Sequence, residues 1–256
     1  MAVDNMVSAV IITKNEEKNI TRCLDSLIGI ADEIIVVDSY SEDKTPQICS
    51  EREVRFIQTE WKGYAETKNY GNSCASHPYI LSLDADEALS KELQDEIIEL
   101  KKQGFSSEAY IIKRMTNYCG KWIRHCGWYP DWKLRLWKKD QGQWIGEIHE
   151  KIELSGPVTV KELKNDILHY SYYSINEHIH QMIRYSDVAA KDDYRRKKRY
   201  GLCKLIFGPI IKFLKSYIIQ RGFRDGFYGL VICSLSGMAT FLKYAKILQL
   251  QRNNTK

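Results

Sequence analysis

The chain has 256 residues, of which 44% are hydrophobic and 28% are charged, a composition that excludes a disordered chain and an ordinary polytopic membrane protein. Seven scattered cysteines, none in C-x-x-C spacing, argue against a disulfide framework or a zinc site and favour a reducing compartment. The net charge of +5 is unevenly divided, since residues 191–256 hold 15 Lys/Arg against 3 Asp/Glu. Such a basic end predicts an anionic partner.

Apolar runs alternate with helical patterns in the first part of the chain. Each run is continuously apolar, and three of the four end in a polar or acidic residue. This alternation predicts an α/β fold with a mostly parallel sheet covered by helices on both faces. The predicted strands are residues 7–13, 33–38, 54–58 and 79–83, and the predicted helices are residues 20–28, a helix opened by residues 41–45, and residues 64–75.

The later elements are less regular. An amphipathic helix is predicted over residues 89–102, strands over 110–115 and 135–137, a hairpin over 151–162, and a long helix over 174–199. Between them, residues 117–144 form a Trp-rich block that holds five of the six tryptophans. We expect two domains, a catalytic domain of residues 1–190 and a basic helical segment of residues 191–256.

Polar side chains lie where three predicted strands end, at Thr13, Asp38 and Asp84. Ligands of parallel sheets bind outside the carboxyl ends of the strands. Residues two apart in an extended chain point the same way, so Asp84 and Asp86 converge on one spot. Paired carboxylates favour Mg2+ or Mn2+. The alternative is an acidic turn after a strand, because a lone D-x-D is a weak signal.

Four sequence segments occur in a characteristic order. They are residues 11–17 (IITKNEE), 36–45 (VVDSYSEDKT), 65–71 (AETKNYG) and 83–86 (LDAD). Together they resemble the family 2 glycosyltransferases, which have the GT-A (Rossmann-like) fold. The Trp-rich block followed by Ile148-His149-Glu150 is similar to the branch that includes lipopolysaccharide core β-glucosyltransferases. The resemblance covers roughly residues 7–170 and implies an enzyme that uses a nucleotide-sugar donor.

The resemblance implies a nucleotide-binding set. Thr13, Asn15 and Glu16 would lie along the nucleotide, and Asp38 would accept hydrogen bonds from the uracil or ribose. Lys68, where the family more often has Arg, would lie near the base or the diphosphate. The alternatives are structural, with Asn15 as a helix cap, Asp38 as a turn residue and Lys68 as an exposed helix charge.

The resemblance also implies a divalent metal, Mg2+ or Mn2+, that stabilises the diphosphate leaving group. Asp84 would face the ribose and the metal, and Asp86 would bind the metal directly. His149 is a further candidate ligand of the metal or diphosphate, with a packed histidine as the equal alternative. We interpret His169 as structural.

The family inverts the anomeric centre by direct displacement, so the reaction needs a general base and no covalent nucleophile. Two acids compete for this role, Glu150 and Asp131. Glu150 is favoured because it lies farther beyond the D-x-D, where the family places its base. Asp131 would otherwise orient hydroxyls of the acceptor sugar.

The Trp-rich block suits an acceptor site, because aromatic side chains stack on the faces of pyranose rings and Arg or Lys side chains bind phosphates. The candidate acceptor residues are Trp128, Trp132 and Arg135. The alternative for several of these rings is the hydrophobic core.

The C-terminal segments 202–219 and 227–242 are apolar but shorter than a spanning helix. Lysines interrupt or follow them, so we expect amphipathic helices in the interface of an anionic membrane. The alternative is a buried helical hairpin. Nucleic acid is not an expected partner, because long aliphatic runs separate the basic residues. The N-terminal apolar run is too short for a signal peptide, and we expect a cytoplasmic protein, peripheral on the inner face of the cytoplasmic membrane.

The resemblance to the family, together with these features, implies an inverting, metal-dependent hexosyltransferase. The donor would be UDP-glucose, and the acceptor a lipid-linked saccharide or the lipopolysaccharide core. One alternative is a nucleotidyltransferase acting on sugar phosphates, although residues 13–16 lack the Gly-rich loop such enzymes carry. The other is a non-catalytic nucleotide-binding membrane scaffold, against which Asp38, Asp84 and Asp86 argue.

Overall fold

The computed structural model describes residues 5–146 and 150–253. The chain divides into two compact units. The first comprises the chain up to Arg114 together with Asp131–Tyr170, and the second comprises Met115–Pro130 together with the chain from Ser171 onward. These limits differ from the boundary at residue 190 that we expected between a catalytic domain and a basic segment, and that functional division stays a prediction.

The first unit is built on a sheet flanked by four helices. The helices are α1 (Ile20–Asp25), α2 (Thr45–Ser50), α3 (Tyr64–Cys74) and α4 (Lys91–Gln103). The strands are β1 (Val7–Thr13), β2 (Glu33–Asp38), β3 (Arg55–Gln58), β4 (Tyr79–Asp84), β5 (Glu87–Leu89), β6 (Ala109–Tyr118), β8 (Asp131–Lys138) and β11 (Val160–Tyr172), while β7 (Lys121–Ile123) belongs to the second unit. In the sheet they follow one another in the order β3-β2-β1-β4-β8-β6-β11-β5.

The sheet is mixed. Strands β3, β2, β1 and β4 run parallel, joined by α1, α2 and α3 as the sequence predicts. Beyond β4 the pairing changes, because β8 is antiparallel to both β4 and β6, and β11 is antiparallel to β5. Parallel strands must be joined by a long crossover, usually a helix. The regular alternation of strands and helices ends after β4, so the later strands pair antiparallel.

The hairpin predicted over residues 151–162 is not formed. Strand β10 (Lys151–Leu154) pairs antiparallel with β9 (Gly142–Ile145) instead of with β11. Its Ile152 lies opposite Trp144, and both contribute to the same apolar cluster. Burial of the Trp144 ring therefore selects the partner of β10, which a turn motif alone does not reveal.

Both faces of the central strands are buried. Successive residues of β1 alternate between two apolar clusters, with Ala9 and Ile11 in one and Val10 and Ile12 in the other. Helix α3 approaches this sheet closely at Gly71, where a Cβ atom would lie 2.6 Å from Cγ1 of Val10. The glycine thus sets the distance between α3 and the strands that carry Thr13 and Asp38.

Three helices dominate the second unit, namely α5 (Ile175–Arg195), α6 (Leu202–Leu214) and α7 (Gly226–Asn253). A capping box between Ser174 and Glu177 begins α5. Within the described residues, Gly222–Arg252 is long and apolar enough to cross a membrane by length and composition, and 28% of its most apolar window is buried. We expected a shorter apolar helix, but the helix continues through Lys243 and Lys246.

Candidate active site

The strand register brings the predicted site residues of the first unit to one edge. Thr13 lies opposite Asp38 in the β1–β2 pair, and Ile12 lies opposite Asp84 in the β1–β4 pair. The ends of three parallel strands therefore lie side by side, as their sequence pattern predicts. Neighbouring strands are about 5 Å apart, so one ligand can reach all three ends.

Two cations hold the carboxylate of Asp84. Nζ of Lys68 lies 2.8 Å from its Oδ1, and Nη2 of Arg135 lies 2.7 Å from its Oδ2. Burial opposes ionisation, but the guanidinium of Arg135 and the ammonium of Lys68 hold the pKa of Asp84 well below its usual range. Lys68 is 1% exposed, so it is not an ordinary exposed helix charge.

Glu87 completes this network and was not among the predicted site residues. Its carboxylate is buried and accepts hydrogen bonds from Arg135 at 2.6 Å and from Arg114 at 3.0 Å. Its Oε2 also accepts from the backbone N–H of Asp84 at 3.0 Å. Glu87 therefore fixes both the backbone of Asp84 and the side chain that pairs with it. One feature of the sequence could have identified Glu87. It is an acid directly after Asp84-Ala85-Asp86, at the start of the short apolar strand β5.

Asp86 has a different partner. Its Oδ2 lies 3.1 Å from Nε2 of His169, a residue that sequence reasoning interpreted as structural. His149 lies outside the described residues. Among the residues that the structure describes, no group of three or more His, Cys, Asp or Glu side chains could hold a metal ion.

Asp86 and His169 are nevertheless a chemically suitable pair for a divalent cation, because a carboxylate and an imidazole both ligate such ions. Magnesium sites commonly take only one or two protein ligands, with phosphates and water completing the shell. Both oxygens of Asp84 already have cationic partners. We therefore expect Asp86 to be the more direct ligand of the two aspartates.

The loop after β1 carries Asn15 and Glu16. The Asn15 side chain accepts a hydrogen bond from the backbone N–H of Glu42 at 2.8 Å, and the N-cap of α1 is Asn19, so the alternative of Asn15 as a helix cap is wrong. Burial, with Asp86, Asp43 and Asp84 nearby, raises the pKa of Glu16 to about 7, opposed by its hydrogen bond with Asn19. The Glu16 carboxyl thus faces the acidic edge.

Asp38 is fully buried and accepts hydrogen bonds from the Ser41 backbone at 2.9 Å and from Gln58 at 3.1 Å. It therefore organises the loop that follows β2. Near it, the buried hydroxyls of Thr13 and Ser39 have no hydrogen-bond partner within the described chain. Unpaired buried hydroxyls are costly, which makes this strand end a suitable place for the polar groups of a ligand.

The two candidate bases have different surroundings. Glu150 lies 3.2 Å from Nζ of Lys68, the same ammonium that binds Asp84. Asp131 accepts hydrogen bonds from Arg114 and lies 3.1 Å from Lys133. Of the two acids, Glu150 is the one that shares a cation directly with Asp84. The fold of the first unit therefore places Glu150 close to the D-x-D. The roles of both acids stay predictions.

The three candidate acceptor residues are placed differently. Trp132 is 39% exposed and follows Asp131, which suits ring stacking on a sugar. Arg135 is 3% exposed and directed at Asp84 and Glu87, so its geometry favours positioning of Asp84 over contact with an acceptor. Trp128 belongs to the second unit, where it packs against Tyr118 and His178.

Comparison with known proteins identifies the family. The family model of Glycosyl transferase family 2 matches residues 8–150, more than half of the chain. The chain belongs to glycosyl transferase family 2. An uncharacterized glycosyltransferase of Rickettsia typhi is 33% identical to this glycosyltransferase over 95% of this chain and 87% of its own length. The resemblance seen in the sequence is thereby confirmed.

Two further relatives add context. The lipopolysaccharide core biosynthesis glycosyltransferase LpsC of Rhizobium meliloti is 30% identical over 95% of this chain and 92% of its own length. The crystal structure of S. aureus TarS 1-349 in complex with UDP-GlcNAc overlaps 97% of this chain and 92% of that chain, at 13% identity and a TM-score of 0.44. That overlap is too remote to bear on the reaction of this glycosyltransferase.

Proposed function

We propose that this glycosyltransferase transfers a hexose, with inversion, from UDP-glucose to a lipid-linked saccharide or a lipopolysaccharide-core acceptor. The observation that carries the proposal is the joint position of Lys68, Asp84 and Glu150 at the carboxyl edge of the parallel strands. A metal- and diphosphate-binding acid and a candidate base share one buried ammonium there. This arrangement suits a one-step displacement, which needs the leaving group and the base on the same small site.

In the proposed reaction, the acceptor hydroxyl attacks the anomeric carbon while the bond to the diphosphate breaks. Glu150 accepts the hydroxyl proton, and UDP leaves with the bonding electrons. Lys68 lies beside both carboxylates and supplies a positive charge close to where the diphosphate gains negative charge. Trp132, exposed next to Asp131, would stack on the acceptor sugar.

A bound Mg2+ or Mn2+ would neutralise the charge that develops on the diphosphate. Asp86 and His169 would hold it, with Asp84 facing the ribose and the same cation. Thr13, Asn15, Glu16 and Asp38 would surround the nucleotide. The unpaired buried hydroxyl of Thr13 supports this placement, because a ligand would supply its missing partner.

Two separate observations support the acceptor class. The Rhizobium relative is described as an enzyme of lipopolysaccharide core biosynthesis, and the C-terminal helices of this chain are basic and apolar. Both favour an acceptor at the inner face of the cytoplasmic membrane, with the protein peripheral there.

A thermal-shift screen of nucleotide sugars with Mn2+ or Mg2+ tests the donor, because a ligand that binds only the native state raises the apparent stability. We expect UDP-glucose with metal to give the largest shift and UDP release to follow. Asp86→Asn should lose the metal-dependent part of the shift. Absence of binding and of hydrolysis with every nucleotide sugar would instead support a non-catalytic scaffold.

A further inference from the structure

Helix α6 exposes a continuous apolar face. None of its residues is buried, and six large side chains in two adjacent i, i+4 rows are between 44% and 62% exposed. Rows of this spacing lie on one side of a helix. The six residues, which we call the α6 face, are Leu202, Ile206, Phe207, Ile210, Ile211 and Leu214. An apolar surface of this kind marks an interaction site.

The charge around the α6 face has one sign. Residues 195–224 contain ten Lys/Arg and no Asp or Glu. Lys204, Lys212 and Lys215 lie on α6 or directly after it, and all three are exposed. An apolar helix face with exposed lysines alongside it is the pattern of a helix that lies in the plane of an anionic lipid surface.

Helix α7 differs from α6 although both are apolar. Its Lys243 lies 3.1 Å from Asp193, and its Lys246 lies 2.7 Å from Asp187, both on α5. Helix α7 also packs closely on α6, since a Cβ atom on Gly237 would lie 3.1 Å from the carbonyl oxygen of Pro209. Both lysines of α7 are thus paired inside the second unit, and α7 supports α6.

We propose that the α6 face is the membrane-binding surface of this protein, with α6 lying in the headgroup region of an anionic bilayer and α7 packed behind it. The inference sharpens the expectation that both C-terminal segments lie in the membrane interface, and it rests on the proposed membrane location. A second copy of the chain is a poor occupant, because it would bring the exposed lysines of two α6 helices together at one contact. Anionic phospholipid headgroups neutralise that charge, at about 1 kcal/mol for each Lys or Arg near the surface.

Vesicle flotation of the full chain tests the proposal. The vesicles are phosphatidylcholine with or without phosphatidylglycerol. We expect binding only with phosphatidylglycerol, reduced at least about tenfold by the double substitution Ile206→Ser and Ile210→Ser. The double substitution Lys212→Gln and Lys215→Gln should reduce binding about thirtyfold and make it less sensitive to salt.

The matched control is Ile28→Ser, a change at an isoleucine of the first unit that is 71% exposed and should leave binding unchanged. Each variant should keep the thermal unfolding midpoint and the UDP release of the wild-type protein. Undiminished vesicle binding by Ile206→Ser/Ile210→Ser overturns the proposal, and so does binding that resists carbonate extraction, which would indicate that α7 spans the bilayer. A wild-type dimer that this variant dissociates also overturns it, since a second copy would then cover the face.

The vesicle assay and the donor assay fail independently. Vesicle binding through the α6 face without UDP release from any donor would refute the proposed reaction and leave the surface assignment standing. UDP release together with vesicle binding that is unchanged by the α6 substitutions would refute the surface assignment and leave the proposed reaction standing.

Discussion

The ammonium of Lys68 lies 2.8 Å from Asp84 and 3.2 Å from Glu150, so one buried cation joins the D-x-D to the candidate base. Its position over the ring of Trp144, 4.3 Å from the centroid, fixes the side chain further. A lysine at this point in helix α3 can therefore influence donor binding and proton transfer together.

Replacement of this cation is the first prediction. Lys68→Met leaves Asp84 paired only with Arg135 and removes the partner of Glu150, so we expect kcat/KM to fall about a hundredfold, or ~3 kcal/mol. Lys68→Arg should recover part of the loss, because it restores the charge. Steady-state UDP release measures the effect, and Lys91→Met, at a lysine whose side chain is 72% exposed, is the control. Equal activity of Lys68→Met and Lys91→Met would contradict the assigned role.

The identity of the base gives a second prediction. Glu150→Gln keeps the shape of the side chain but removes the proton acceptor, so kcat should fall by about a hundredfold or more while the KM for the donor changes little. Asp131→Asn should raise the KM for the acceptor and leave kcat largely intact. Near-normal turnover of Glu150→Gln, with loss in Asp131→Asn, would transfer the role to Asp131.

Metal dependence gives a third prediction. Asp86→Asn should abolish transfer, and excess chelator should abolish transfer by the wild-type protein. His169→Ala should raise the half-saturating Mn2+ concentration about tenfold or more, because it would remove one of the two side chains, Asp86 and His169, that we propose as the metal ligands. The measurement is a metal titration of UDP release. Full activity in excess chelator would contradict the metal dependence. An unchanged metal titration for His169→Ala would show that His169 is not a metal ligand.

A fourth prediction concerns pH. Burial lowers the pKa of His178 from its ordinary 6.5 to about 4, and its Nδ1 lies 3.0 Å from the Tyr118 hydroxyl. The unfolded chain therefore binds more protons than the folded chain between these values, so stability is complete above pH 6.5 and falls as the pH drops towards 4. The loss over this window is up to about 3 kcal/mol.

Thermal unfolding as a function of pH checks this. His178→Gln should flatten the fall between pH 6.5 and 4, whereas His180→Gln, at an exposed histidine of the same helix, should follow the wild-type curve. Parallel curves for His178→Gln and the wild-type protein would show that His178 is not the group responsible.

Packing at Gly71 gives a fifth prediction. A methyl group there would lie 2.6 Å from Val10 and 3.0 Å from Val37, so Gly71→Ala should destabilise the fold by about 1–3 kcal/mol and weaken donor binding through displacement of α3. Chemical denaturation measures the first effect. Gly201→Ala is the control, since nothing lies within 4 Å of a Cβ atom at Gly201. Its stability should stay within about 0.5 kcal/mol of the wild-type value.

The parallel half of the fold follows from the sequence, because each strand is an apolar run and each acid marks a strand end. Asp38 and Asp84 were therefore placed at the correct edge from spacing alone. The antiparallel half does not follow in this way, since the pairing of β10 with β9 depends on burial of Trp144. No local pattern specifies such a long-range choice.

The contacts within the site likewise depend on residues that are far apart in the sequence. The sequence pattern indicates Asp84 and Asp86 but not the ion pairs that hold Asp84, which join it to Lys68, 16 positions away, and to Arg135, 51 positions away. His169 was interpreted as structural because nothing in its neighbourhood along the chain suggests a ligand. Its contact with Asp86 arises from the placement of β11 beside β5.

Helix α6 also carries an exposed cysteine that can be labelled. Of the seven cysteines, Cys203 is the exposed one, and the others are buried or partly buried. It lies within the first turn of α6, so a thiol-specific fluorophore would attach beside the α6 face without further mutagenesis. The emission of such a label would report the polarity around the helix, and its reaction rate would report access from water. The native chain therefore carries its own attachment point for following where this helix resides during turnover.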